Sequence, residues 1–239
     1  MTIVSNTLNY LDEDVILEGF FAFDDRITER RPAVLISHAW CGRNDFVEEK
    51  AKQLAELGYL GFALDMYGKG ILGTSVEQNS ALMQPFMLDR AKLQQRITAA
   101  FNALRLMPWV DDRRIAAMGY CFGGLCVLDL ARSGANLQGA ISIHGLLNAP
   151  ENLENKAIKA KVLALHGYDD PMVDFAQVQR FAEEMSTTGV DWQLHAYGNT
   201  MHAFTNPQAN DPAFGTVYNP TADHRSWMSI QNFLTEIFK

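Results

Sequence analysis

Five short runs of this chain are apolar almost without interruption: Ala33 to Ser37, Leu60 to Asp65, Arg114 to Met118, Gly139 to His144 and Lys161 to His166. Such runs are too short for buried helices. With no polar residue at every second position, they are strands covered on both faces, which belong to parallel sheets flanked by helices. Between them, apolar residues recur at helical spacing. Val47, Ala51, Leu54 and Ala55 form one face, opened by a capping-box pair at Asp45 and Glu48 and stopped by Gly58. Phe86 to Met107 reads as one long helix with Pro85 in its first turn. Leu125, Leu128 and Ala131 mark a third, ended by Gly134. Asp174 and Gln177 open a fourth, with Phe175, Val178, Phe181, Ala182 and Met185 facing the core. Trp227, Ile230, Leu234 and Ile237 mark the last. Val15 to Phe23 is an edge strand or hairpin, Asp191 to Tyr197 a final strand, and Gly68 to Gln84 a loop. No repeat or linker breaks the alternation, so residues 1–239 are expected to form a single doubly wound α/β domain.

In such a sheet ligands bind beyond the carboxyl ends of the strands, so residues that follow strands directly carry the interest. Gly119-Tyr120-Cys121-Phe122-Gly123-Gly124 joins an apolar strand to a helix, the form of a nucleophile elbow with cysteine in the central place. The glycines allow strand and helix to approach, and the helix N-terminus favours a thiolate. The plainer reading is a small buried residue in a tight turn. After the strand ending at His166 come Asp169 and Asp170, and after the last strand comes His202. Nucleophile, acid and histidine in that order is the chain order of an α/β-hydrolase triad. His38, His144 and His166 also stand at strand ends, but no metal-ligand spacing joins them, and each is expected to hydrogen-bond loop backbone. Cys126 reads as core packing, and Lys69 among glycines lacks the Walker spacing.

The elbow at 119–124, the loop Asp170-Pro171-Met172-Val173 and the run His202-Ala203-Phe204-Thr205-Asn206-Pro207 resemble the dienelactone hydrolase family of α/β-hydrolases, and the likeness extends over nearly the whole chain. The resemblance implies one α/β-hydrolase domain with a mostly parallel central sheet and helices on both faces. It further implies Cys121 as nucleophile, His202 as general base and acid, and Asp170 rather than Asp169 as the group that orients the imidazole. The oxyanion hole is implied to be the backbone N–H groups of Trp40 and Phe122, and no cofactor or metal is expected. Two positions depart from the family pattern. A glutamate that contacts the thiol in the family is here Ala39, and an arginine that follows the histidine and holds a substrate carboxylate is replaced by Thr205-Asn206. A pocket lined by Trp40, Tyr67, Phe122, Met172 and Phe204 therefore favours an uncharged ester or lactone over dienelactone itself. Loss of the glutamate also leaves the helix N-terminus, the two N–H groups and a protonated His202 to stabilise a resting thiolate.

Composition narrows the partners. The net charge of −8 without a Lys/Arg cluster argues against nucleic acid and anionic membranes. No apolar run reaches membrane-spanning length, and Met1 to Tyr10 lacks a basic segment followed by an apolar one, so the expected location is the cytoplasm. The three cysteines, Cys41, Cys121 and Cys126, are expected to be free thiols. A small-molecule hydrolase is the principal expectation. The other is a protein of the same fold that uses Cys121 for ligand binding or thiol redox sensing.

Overall fold

The computed structural model describes residues 2–151, 153 and 156–239. The chain opens with an antiparallel hairpin, β1 (Ile3–Asp12) and β2 (Val15–Asp24). It continues through β3 (Arg31–Ser37), α1 (Asp45–Glu56), β4 (Leu60–Ala63), α2 (Val76–Leu88) and α3 (Arg90–Arg105). Then follow β5 (Val110–Tyr120), α4 (Phe122–Arg132), β6 (Gly139–Ile143), β7 (Lys161–Gly167), α5 (Phe175–Thr187) and β8 (Trp192–Tyr197). A two-residue pair, β9 (Asn210–Asp211) and β10 (Thr216–Val217), precedes α6 (Pro220–Ile237). The main sheet has the order β1-β2-β4-β3-β5-β6-β7-β8, antiparallel only at β1, β2 and the β2/β4 junction.

The apolar strands are buried on both faces, as their unbroken runs require. In β3, Ala33 and Leu35 enter the core that holds Leu93, Ile97 and Leu104 of α3 and Leu125 of α4. Their neighbours Val34 and Ile36 enter the opposite core with Val47 and Leu54 of α1 and Ile230 and Leu234 of α6. Each fully buried Leu or Ile contributes about 1.5–3 kcal/mol relative to exposure. β7 behaves alike: Leu163 and Leu165 face α6, while Val162 and Ala164 meet Phe181 and Met185 of α5.

Several local expectations are corrected. The helix expected over 86–107 is two helices. Asp89, at φ −122° and ψ 91°, ends α2 and caps α3, its carboxylate accepting from the N–H of Lys92. Pro85 lies in the last turn of α2 rather than in a first turn, and the chain from Val76 onward is helical rather than loop. α1 does begin at Asp45, but its N-cap is Asn44, whose side chain makes no capping bond and donates instead from Nδ2 to Cys41 Sγ at 3.5 Å, while Glu48 pairs with Arg43. Phe175 is 74% exposed instead of buried, since it occupies the first position of α5 before the helix meets the sheet. Asp174 does cap α5 through the N–H of Gln177. Among the described residues no helix is long and apolar enough to cross a membrane.

Candidate active site

β5 ends at Tyr120 and α4 begins at Phe122, so the chain reverses on Cys121 alone, at φ 55° and ψ −119°. This conformation is unfavourable for a residue with a Cβ and costs about 1–3 kcal/mol. It is held by Cys121 N–H donating to Ile143 O at 3.0 Å and by Gly124 N–H donating to Cys121 O at 2.9 Å. The surrounding glycines are sterically required. A Cβ on Gly119 would lie 2.0 Å from the carbonyl oxygen of Gly123, and one on Gly123 would lie 2.2 Å from that of Ser37. Gly123→Ala is therefore expected to lower stability by about 1–3 kcal/mol, measured by urea unfolding; an unchanged midpoint would contradict this packing.

His202 follows β8 and is pinned on both sides of its backbone. Its N–H donates to Gly215 O at 3.0 Å, and its carbonyl accepts from Val217 N–H at 3.1 Å, so the short β9/β10 pair serves to hold the histidine loop. Its Nδ1 donates to Oδ2 of Asp170 at 2.7 Å, and Oδ1 of Asp170 accepts from the N–H of Met172 at 2.8 Å. Both side chains are buried, whereas Asp169 is exposed. Strain concentrates here: His144, at φ 38°, and Ala203, at φ 57°, are also left-handed. The His144 ring stands 5.2 Å from that of His202 and is tied by Nε2 to Thr205 Oγ1 at 2.8 Å. Burial and the neighbouring imidazolium push His144 well down, so it remains neutral.

Nε2 of His202 is buried and makes no hydrogen bond of good geometry, yet this imidazole and the Cys121 sulfur govern each other's ionisation. Burial by itself raises the thiol. The nearby charge of His202 and the backbone N–H groups of Phe122 and Trp40 outweigh that effect and bring the Cys121 pKa below its ordinary value. Burial likewise lowers His202, but the thiolate and Asp170 dominate and push it up to about 10. The two shifts have opposite sign, and in each the other group's charge is one of the causes.

Above this pair opens a cleft of about 1370 Å³. Trp40, Cys121, Phe122, Met172 and His202 line it, as does Ala39. Tyr67 and Phe204, expected in the lining, do not. Tyr67 lies under the loop, stacked at 6.1 Å on Phe122, with its hydroxyl donating to Trp40 O at 2.9 Å. Phe204 is fully buried between His144 and Tyr197, at 5.1 and 5.4 Å. Unforeseen in the lining are Cys41, Ile71, Leu72, Leu146 and Phe214, the last stacked on Trp40 at 5.8 Å. Phe214 sits in the turn at 212–215 between β9 and β10, where no periodicity could have marked it. Glu48 does not replace the missing glutamate beside the thiol; it pairs with Arg43, which also binds Glu18 at 2.9 Å. Among the described residues no group of three or more His, Cys, Asp or Glu side chains could hold a metal ion.

A mostly parallel eight-stranded sheet with helices on both faces, a strained turn at the end of its central β5 and a His–Asp pair on the loops beyond β7 and β8 define an α/β-hydrolase. The family model for dienelactone hydrolases matches residues 17–238, and the chain belongs to the dienelactone hydrolase family, a family of hydrolases. The crystal structure of P91, a dienelactone hydrolase-like promiscuous phosphotriesterase from metagenomic libraries, is 34% identical over the whole of both chains, with a TM-score of 0.96. An uncharacterized protein of Caenorhabditis elegans is 37% identical over 150 residues, which is 62% of this chain and 95% of that protein. A probable 2-oxo-3-(5-oxofuran-2-ylidene)propanoate lactonase of Bradyrhizobium is 25% identical over 210 residues, covering 84% of this chain and 82% of its own.

Proposed function

We propose that the protein hydrolyses uncharged carboxylic esters or lactones through a thioester on Cys121. The observation that carries this reading is the convergence on one sulfur of two backbone N–H groups and the His202–Asp170 pair at the floor of the cleft. The thiolate adds to the carbonyl carbon, and the carbonyl oxygen takes up the charge under the N–H groups of Phe122 and Trp40. Collapse expels the alcohol oxygen, which receives the proton from Nε2 of His202. In a lactone the alcohol stays tethered to the acyl chain. Neutral His202 next takes a proton from water, the hydroxide adds to the thioester, and the second collapse returns the thiolate with release of the acid. Asp170 holds Nδ1–H throughout, so that Nε2 is the nitrogen that exchanges protons.

Thioester chemistry suits good leaving groups such as alkoxides better than amines, so amide cleavage is disfavoured. Of the cations in the cleft wall, Arg43 is bound by Glu18 and Glu48 and Lys50 lies over the rings of Phe46 and Trp227, while Trp40, Ile71, Leu72, Met172 and Phe214 offer apolar surface to a substrate. The phosphotriester activity named for P91 adds a second neutral electrophile, whose P=O oxygen would meet the same N–H donors. The test is turnover of 4-nitrophenyl acetate and butyrate, of γ-butyrolactone and of a diethyl aryl phosphate, with mass spectrometry of the quenched enzyme. An acyl adduct on Cys121 and sustained turnover support the proposal. Stoichiometric labelling without turnover would favour the ligand-binding or redox-sensing alternative.

The ionisation of the pair gives a second expectation. The lowered thiol pKa and the raised pKa of His202 both act toward a thiolate–imidazolium pair in the resting protein, which is the expectation tested here. In a Cys41→Ser background, alkylation of Cys121 by iodoacetamide should be flat through neutral pH and fall only in acid. A rate rising with a midpoint of about 8.5, as for an ordinary thiol, would show a protonated resting nucleophile.

A further inference from the structure

The turn carrying Trp40 is held from below by a histidine that has no part in the chemistry above. His38 follows β3 directly and is fully buried, its ring edge-on to Tyr67 with centroids 4.9 Å apart. Its Nε2 lies 3.1 Å from the backbone nitrogen of Met66. A backbone N–H only donates, so Nε2 is the bare, accepting nitrogen and the ring proton sits on Nδ1. Nδ1 lies 2.6 Å from Ala39 O and donates to it. In a trans peptide the C=O and the following N–H point to opposite sides. Drawing Ala39 O toward the His38 ring therefore turns the N–H of Trp40 the other way, toward the Cys121 sulfur on which it acts. Gly42 N–H also donates to Ala39 O, at 3.2 Å, and closes the turn. Tyr67 fixes the next peptide by its bond to Trp40 O at 2.9 Å.

We propose that His38, as its neutral Nδ1–H tautomer, is the positioning residue that sets the oxyanion hole, locking the Ala39–Trp40 peptide so that it presents an N–H and not a carbonyl to the reacting centre. The role as an oxyanion hole rests on the ester-hydrolysing reading; the orientation of the peptide does not. Protonation would remove the acceptor that Met66 requires. Burial opposes it, with Arg43 acting in the same sense and Ala39 O and Asp65 the groups acting against. A flipped peptide would direct Ala39 O at the thiolate, replacing a stabilising dipole by a repulsive one.

His38→Phe keeps a ring against Tyr67 and removes both hydrogen bonds; His38→Gln restores an acceptor and a donor on a flexible chain. In His38→Phe, kcat for 4-nitrophenyl butyrate is expected to fall about 100-fold, the scale of one lost oxyanion donor, with KM nearly unchanged. The alkylation midpoint of Cys121 should move to higher pH, and His38→Gln should recover part of both effects. Alkylation requires no turnover, so it reads the peptide's orientation even where no ester is hydrolysed. A folded His38→Phe protein with the alkylation midpoint and kcat of the wild type overturns the proposal. In the wild-type protein, ¹⁵N NMR of the His38 ring should show the neutral Nδ1–H tautomer across neutral pH. An Nε2–H tautomer or a titrating imidazolium there overturns it without any variant.

Discussion

Cys121→Ala is expected to abolish ester turnover while leaving thermal unfolding nearly unchanged. Cys121 is only partly buried as a residue, and the backbone bonds that hold the elbow, from Cys121 N–H to Ile143 O and from Gly124 N–H to Cys121 O, do not involve its sulfur. The loss should be about 10⁵–10⁶-fold in kcat, because members of a unit that acts together fail together. His202→Gln should lose as much. Glutamine can still offer an N–H to Asp170, so the carboxylate is not stranded, but it can neither accept nor deliver the proton that Nε2 handles. Asp170→Asn keeps both reacting groups and misdirects the imidazole, so a smaller loss of about 10⁴-fold is expected. Steady-state kinetics with an activated ester check all three. Near wild-type activity in His202→Gln would refute the assignment of the base, and a damaging Asp169→Asn beside a harmless Asp170→Asn would refute that of the acid.

Asp129→Ala is expected to be the most destabilising of the single changes considered, although Asp129 lies outside the cleft. Its carboxylate is fully buried on α4 and receives Nε and Nη2 of Arg90, both at 2.6 Å, and Nη1 of Arg132 at 3.2 Å. Arg132, also fully buried, reaches Glu184 at 2.7 and 2.8 Å and Leu147 O at 3.0 Å, while Arg90 reaches Asn148 O at 3.1 Å. Removing the carboxylate leaves two guanidinium groups close together in a site with little water. Breaking one side of a buried charge set costs about 3–5 kcal/mol, which in a domain of this size lowers Tm by roughly 10 °C. Calorimetry tests it, and a drop confined to a degree or so would mean that water enters to solvate the arginines. The same network fastens the chain at 147–148 beside Leu146 of the cleft wall, so the variant should also lose affinity for larger esters.

How much of this was legible beforehand depends on the distance over which the responsible forces act. The sheet could be read from the chain because burial on both faces is a property of each run: Val34 and Ile36 face one core and Ala33 and Leu35 the other, leaving no place for a polar residue in the run. The elbow was legible as well. The glycine pattern around one cysteine marks the turn in the sequence, although only Gly119 answers to a near neighbour, Gly123, while Gly123 and Gly124 are held small by Ser37 and by Ser142 and Gly145. The sequence alone placed Cys121, Asp170 and His202 at the ends of strands that the structure brings together. What only the tertiary structure decided arises between residues far apart in the chain. Periodicity assigns α4 a stripe at Leu125, Leu128 and Ala131, yet every residue of that helix is buried, because α3, β6 and α5 close around the face that carries Asp129 and Arg132. Tyr67 and Phe204 have the composition of pocket residues but pack beneath the cleft, whereas Phe214, from a turn without pattern, reaches across to Trp40. Asp89 breaks a continuous helical pattern because its carboxylate caps the second helix, and Arg90 immediately turns inward to meet Asp129 thirty-nine residues later. Local pattern is set by the repeat of the backbone and the hydrophobicity of each residue, and the sequence carries both. Which aromatic fills a core and which charge is buried with a partner depend on how the layers pack, and that is determined only when the chain has closed on itself.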